Sequence, residues 1–258
     1  MVDPPYQKNF EWEKFDYVYW RQWMGQRWWW SIIFGGVYVV LIYFGQHWMK
    51  NRSPMKLKKP LLWWNLALAA FSISAFMRTL PEMISILGNN NGFHITVCSR
   101  DQMTIAHVFW EWMGTWSKVV ELGDTAFVVL RKQPLIFLHW YHHVSVLIYT
   151  WFSIDANDPI HRWYMSMNSG IHSLMYSYYA LRILGVKIPR KCAICVTTLQ
   201  IVQMFIGFSL NIYSVYAKRS GWDYVLTPEI AIETKIHLGY ASKYASTNTY
   251  VHLECLLL

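Results

Sequence analysis

The feature that most constrains this chain is a series of apolar runs, each about as long as a bilayer is thick. A hydrocarbon core needs roughly 20 apolar residues per helical crossing, and such runs occupy 28–48, 61–80, 104–130, 134–152, 160–184 and 192–216. We therefore expect an all-α polytopic membrane bundle with six spans. Composition agrees: 54% of residues are apolar and only 15% charged, with 16 Trp, 17 Tyr and 13 Phe. That balance excludes a disordered chain, a coiled coil and an ordinary nucleic-acid-binding domain. The formal net charge of +8 would suggest a nucleic-acid partner if it were spread over one face, but the basic residues gather in short loops between the runs. Segment 1–27 balances four acidic against four basic residues and lacks a basic start followed by a short apolar stretch. It reads as a non-cytosolic N-terminal segment rather than a cleaved signal.

Orientation follows from the loops. Lys50, Arg52, Lys56, Lys58 and Lys59, then Arg131 and Lys132, then Arg182, Lys187, Arg190 and Lys191 fall on one side, which the positive-inside rule assigns to the cytosol. The opposite loops hold Glu82, Arg100, Asp101, Asp155, Asp158 and Arg162, which nearly balance. Asn51-Arg52-Ser53 is a glycosylation triplet on the cytosolic side and is expected to be unused. Trp28 to Trp30, Trp63, Trp64 and Trp151 lie near span ends, where interfacial aromatics are expected. Residues 218–258 are polar and too short of apolar runs to span. The four cysteines, Cys98, Cys192, Cys195 and Cys255, have no spacing that suggests a disulfide framework or a zinc site.

Ionisable groups at membrane depth are functional candidates by default, and this chain has many. The third run holds His107, Glu111, Lys118, Glu121 and Asp124; the fourth His139, His142 and His143; the fifth Asn168 and His172; the sixth Gln200, Gln203 and Asn211. At a rise of about 1.5 Å per residue, Asp124 lies roughly 10 Å inside the boundary at Arg131, His142 roughly 12 Å inside Pro134, and His172 and Gln200 each roughly 15 Å from Arg182 and Arg190. Four helices thus place polar groups in one layer. Phase agrees: His139, His142 and His143 stand at i, i+3 and i+4, and Lys118 can pair with Glu121 at i, i+3.

These residue types allow several chemistries. A His-x-x-His-His box invites comparison with di-iron membrane desaturases and hydroxylases, but only one box is present; a mononuclear metal held by His139, His143 and a carboxylate is geometrically open. Acid-base or nucleophilic use of an imidazole is a second reading, with Glu121 and Asp124 fixing ring tautomers. Helix-to-helix hydrogen bonding is a third, above all for Gln200 and Gln203.

Four segments decide among them by resemblance. Lys118-Val-Val-Glu121-Leu-Gly-Asp124-Thr125, His139-Trp-Tyr-His142-His143, His172-Ser-Leu-Met175-Tyr176-Ser-Tyr178-Tyr179 and Thr197-Thr-Leu-Gln200-Ile-Val-Gln203 resemble, in order, the signature motifs of the very-long-chain fatty acid elongases. The likeness runs from about Tyr17 to Tyr216. Asn168 and the Tyr178-Tyr179-Ala-Leu-Arg continuation look most like the subgroup acting on saturated and monounsaturated chains.

The resemblance implies a 3-oxoacyl-CoA synthase of the endoplasmic reticulum membrane, with an acyl tunnel inside the bundle and an active site open to the cytosol. It joins acyl-CoA to malonyl-CoA with loss of carbon dioxide, using these substrates and no cofactor or metal. It implies that His142 takes the acyl group, that His172 positions malonyl-CoA, and that His139 and His143 orient rings or polarise carbonyls. Lys118, Arg131, Asn168 and Tyr178 are then the expected CoA contacts. Gln200 and Gln203 are open as carbonyl donors or as packing contacts, and Lys187, Arg190 and Lys191 are further candidates for CoA, although orientation alone would explain them. The expected partners are the lipid bilayer and the downstream reductases and dehydratase, with a homodimer left open and no nucleic acid. The domains expected are 1–27, the elongase bundle 28–217, and an atypical tail 218–258 where the family has a seventh helix and a basic retrieval signal. An iron-dependent lipid oxidase and an inactive truncated membrane protein stand as the alternatives.

Overall fold

The computed structural model describes residues 4–100 and 102–219, and these are helical with no strand among them. Asp101, Cys255 and the tail beyond Arg219 lie outside the described residues, so the reading of 218–258 as a separate polar tail does too. The long helices are α2 (Trp30–Met49), α3 (Lys58–Leu87), α5 (Ile105–Glu121) with α6 (Gly123–Leu130), α7 (Phe137–Ser153), α8 (His161–Leu184) and α9 (Arg190–Arg219). Short α1 (Tyr17–Gln26) precedes them, and α4 (Gly92–Cys98) links α3 to α5.

Three of these, α2, α3 and Arg190–Ala217 of α9, are long and apolar enough to cross a membrane as single helices. Their apolar side chains are largely exposed, for example Leu41, Tyr43 and Phe44 on α2 and Phe205 on α9. Such a surface is tolerable in lipid and not in water. Of the other expected spans, α5 and α7 have 17 residues each and the third run is broken at Leu122, while α8 has 24 residues but carries polar groups along its length. Helices α5 to α8 hold the chemistry, and the apolar helices surround it.

Two span boundaries differ from the sequence reading. Run 61–80 ends before Pro81, yet α3 continues to Leu87 with Pro81 inside it. Proline removes one helical N–H and crowds the preceding turn. Here the helix beyond it is held by buried Glu82, Met83 and Ile86. Glu82 accepts from Arg162 Nε at 2.8 Å and from the backbone N–H and hydroxyl of Thr104 at 2.8 and 2.7 Å. Thr104 is itself the N-cap of α5, accepting from the His107 N–H, so one carboxylate ties α3 to the starts of α5 and α8.

Run 104–130 is two helices that meet at Leu122. A Cβ on Gly123 would stand 2.6 Å from the Trp64 ring, so only glycine lets α6 pass that close to α3.

The aromatics also depart from the interfacial expectation. Trp63 is exposed, but Trp151 is fully buried in a cluster with Met24, Leu147 and Ile154, flanked by Trp23, Trp30, Trp112 and Trp116. Trp64 turns inward to donate its indole N–H to Asp124. Rings near a span end can fill a core as readily as a headgroup layer when a helix packs over them.

The N-terminal segment closes one end of the bundle. Glu13 is fully buried and accepts from Arg78 Nε at 2.8 Å and Trp110 Nε1 at 3.0 Å, while Gln7 donates to the Arg78 carbonyl. Asp16 caps α1 by accepting from the Tyr19 N–H. Tyr17 donates to Asn157 at 2.7 Å, and burial pushes its ionisation well above the ordinary tyrosine value. It therefore keeps its donor proton across the physiological range. The most extensive helix pair is α3 against α8, and α8 ends at Gly185, whose φ of 92° is the left-handed cap that glycine adopts freely.

Candidate functional site

A cavity of about 520 Å³ lies between α3, α5, α7, α8 and α9. Lys118 and Glu121 reach it from α5, His142 from α7, Asn168 and His172 from α8, and Gln203 from α9. Four helices therefore contribute polar groups to one space, as their shared depth predicts.

The local hydrogen bonds have a definite direction. Lys118 Nζ donates to both oxygens of Glu121, at 2.9 and 3.0 Å, and to Asn168 Oδ1 at 2.8 Å. An ammonium can only donate, so the amide of Asn168 must turn its oxygen toward Lys118. Its Nδ2 then faces His172 Nε2 at 3.2 Å. Donation there leaves Nε2 as the acceptor of a neutral ring and puts the proton on Nδ1, which faces Glu121 Oε2 at 3.9 Å. Ser117 also donates to Glu121, at 2.9 Å. The result is a relay in which Lys118 orients Asn168 and Asn168 sets the tautomer of His172.

The histidine box divides by neighbour. His139 Nε2 stands 2.9 Å from Thr125 Oγ1, which is 2.6 Å from the Tyr38 hydroxyl. His143 packs edge-on against His139, with ring centroids 4.7 Å apart, and against Tyr38. His142 alone of the three lines the cavity, and its Nδ1 is buried with no hydrogen-bond partner among the described residues. One helix face thus splits into two anchored rings and one presented ring.

Residues 23–254 match the ELO family, described as GNS1/SUR4. The chain belongs to the ELO family. It is 45% identical over 217 residues to very long chain fatty acid elongase 6 of Drosophila melanogaster, covering 83% of this chain and 68% of that one. The human elongase 6 is 44% identical over 191 residues, 74% of this chain and 72% of its own. Putative fatty acid elongase 3 of Caenorhabditis elegans is 44% identical over 203 residues, 78% and 63% respectively. The family match takes in 218–254, the stretch set apart above by composition, and it gives the desaturase reading no support.

Within this ELO chain several expected site residues stand elsewhere. Asp124 does not orient an imidazole: it accepts from Trp64 Nε1 at 2.5 Å and from the Tyr176 hydroxyl at 2.8 Å, which makes it a tie between α6, α3 and α8. Two aromatic donors saturate a carboxylate as well as a ring N–H does. Gln200 donates to Met175 Sδ at 3.2 Å rather than lining the cavity. Arg131 sits at the end of α6, where its backbone N–H closes the last turn. Tyr178 stacks edge-on with Tyr179. None of Arg131, Tyr178, Gln200, His139 and His143 lines the cavity. Among the described residues, no three His, Cys, Asp or Glu side chains stand together as a metal-holding group.

At the opposite end of the cavity the sequence singles out Glu111 and Asn211 by depth but gives them no role, and it passes over His161, Tyr149, Ser153 and Tyr164. All of them line the cavity there, and Glu111 Oε1 is 2.7 Å from His161 Nδ1. The signal was available as helical phase. Glu111, Thr115 and Lys118 repeat at i, i+4 and i+7, and His161, Met165, Asn168 and His172 at i, i+4, i+7 and i+11. Each stripe runs continuously from one polar end to the other.

Proposed function

We propose that this chain catalyses the condensing step of fatty acid elongation in the endoplasmic reticulum membrane, as a bundle of six spans with the imidazole layer toward the cytosol. A long-chain acyl-CoA and malonyl-CoA give a 3-oxoacyl-CoA two carbons longer, with release of carbon dioxide and CoA. The observation that carries this reading is the single cavity in which His142, His172, Lys118 and Asn168 converge above an apolar lining of Phe71, Val146, Met165 and Ile201. Membership of the ELO family supports it independently.

In this reading, a nitrogen of His142 attacks the thioester carbonyl and expels the CoA thiolate, so the acyl group rests on the ring as an acyl-imidazole. Malonyl-CoA then loses carbon dioxide, and the electron pair of the broken C–C bond becomes its enolate. That carbon attacks the acyl-imidazole, the new C–C bond forms, and His142 is released. The enolate oxygen needs donors already in place, and Lys118, with the amide of Asn168, supplies them beside His172. Cytosolic Lys187, Arg190 and Lys191 would hold the CoA phosphates at the rim. The 3-oxo product then passes to the reductases and dehydratase that complete the cycle.

Purified protein in detergent or nanodiscs, given long-chain acyl-CoA and carboxyl-labelled malonyl-CoA, should release labelled carbon dioxide with a stoichiometric 3-oxoacyl-CoA. A folded preparation that yields neither overturns the assignment. Omitting malonyl-CoA should leave an acyl adduct on His142 detectable by peptide mass spectrometry.

A further inference from the structure

The cavity is polar at both ends and apolar between them, and the far end is not used by condensation. Glu111 and His161 are each 7% exposed and pair through Glu111 Oε1. The second carboxylate oxygen, Oε2, is buried with no hydrogen-bond partner among the described residues. Of the hydroxyls that line this end, those of Thr150, Ser153 and Tyr164 donate to backbone carbonyls, as does that of Thr115, and no hydrogen bond reaches Oε2 from Tyr149. Lone acceptors of this kind are rare, because a desolvated carboxylate oxygen without a donor is strongly disfavoured. Glu111 and Glu121 are ten residues apart on α5, roughly 15 Å by helical rise. Both line the same cavity, so the far acceptor lies about that distance from the imidazole layer, and Lys118, seven residues on from Glu111, shares its helix face.

We propose that Glu111 and His161 form a hydroxyl-binding subsite at the end of the acyl cavity, so that the enzyme accepts acyl chains carrying a terminal hydroxyl group. Such a chain has the same pattern as the cavity: a thioester at one end, methylenes through the middle and one hydrogen-bond donor at the other end. The hydroxyl donates to Glu111 Oε2, while His161 holds the carboxylate in place through Oε1. A plain alkyl end gives that oxygen no donor and must displace whatever solvates it. This inference rests on the acyl chain lying in the cavity with its thioester at His142.

The test is affinity, which does not require turnover. Matched pairs of ω-hydroxyacyl-CoA and unsubstituted acyl-CoA, stepped in length, would compete with a fluorescent acyl-CoA for the full chain in nanodiscs. At the length that reaches Glu111, the hydroxylated member should bind about tenfold more tightly, the scale of one hydrogen bond to a charged group. Glu111→Met should bring the pair to equal affinity. Should that variant fail to fold, Glu111→Gln keeps the shape and an acceptor but loses the charge, and should reduce the preference to a few-fold. Equal affinities at every length, or a preference that survives the substitution, would overturn the subsite. Condensation of the unsubstituted acyl-CoA, followed in the same preparation, tests the elongase reading separately: a hydroxyl preference without condensation sinks the enzyme assignment and keeps the subsite, and condensation without preference does the reverse.

Discussion

Two polar clusters, one lining the cavity around Lys118 and one beside its far end around Arg162, use the same residue types to opposite effect. Around Lys118 the polar groups form an open relay: one cation serves Glu121 and Asn168, Asn168 serves His172, and His142 Nδ1 is left without a partner among the described residues. Around Arg162 they form a closed lock. Arg162 donates to Glu82 and to the Ser99 carbonyl, Glu82 accepts from Thr104, and Glu111 pairs with His161. A buried charge pair contributes little net stability, yet removing one partner is costly. The difference teaches that ionisable side chains in a membrane bundle can be read by what they leave unsatisfied. The relay leaves His142 Nδ1 at the cavity without a partner, whereas the lock leaves Glu111 Oε2 and both ring nitrogens of His107 without a hydrogen bond among the described residues.

Breaking the relay should give the largest effects. His142→Ala should lower condensation by about a thousandfold or more, the scale of losing a nucleophile, with no change in thermal melting. Retained activity would move the acyl group elsewhere. Lys118→Met removes the cation that orients Asn168 and should reduce kcat by roughly a hundredfold, as for a lost transition-state donor; a change confined to KM would instead make Lys118 a CoA anchor.

The lock should respond in stability rather than rate. Arg162→Met leaves Glu82 buried without its cation and should cost about 3–5 kcal/mol, visible as a drop in the melting midpoint in detergent. Unaltered melting with lost turnover would erase the distinction between the two clusters. The smallest effect is expected midway. A Cβ on Gly114 would lie 2.8 Å from Met165 Sδ, but a methionine end can move. Gly114→Ala should therefore narrow the cavity and shift the product profile toward shorter chains by a few-fold, on the scale of one methyl group in a pocket, with total turnover little changed.

Much of this arrangement was legible in the primary structure. Apolar runs with charged loops predict the helices and their order, because lipid leaves the backbone no other way to satisfy its hydrogen bonds. The i, i+3, i+4 spacings put Lys118 with Glu121 and the three histidines on shared faces, and the rise per residue sets their common depth. Glu121, Lys118, His142, Asn168, His172 and Gln203 all reach the cavity from those faces.

What those patterns leave undecided is the partner across the gap. Phase and depth belong to one helix, but a contact depends on how two helices are rotated and how closely they pack. Asp124 and Glu121 lie within one turn of each other, yet Asp124 meets Trp64 and Tyr176 because Gly123 lets α6 press against α3. Trp151 and Trp64 have the positions of interfacial residues, yet Trp151 is buried and Trp64 partly buried because other elements cover them. The lock at Arg162 joins residues 80 positions apart. Helix formation, depth and facing are thus local consequences of composition and period. Pairing across the bundle is a property of the assembled helices, since side-chain reach and close packing choose a neighbour only when the backbones are already side by side.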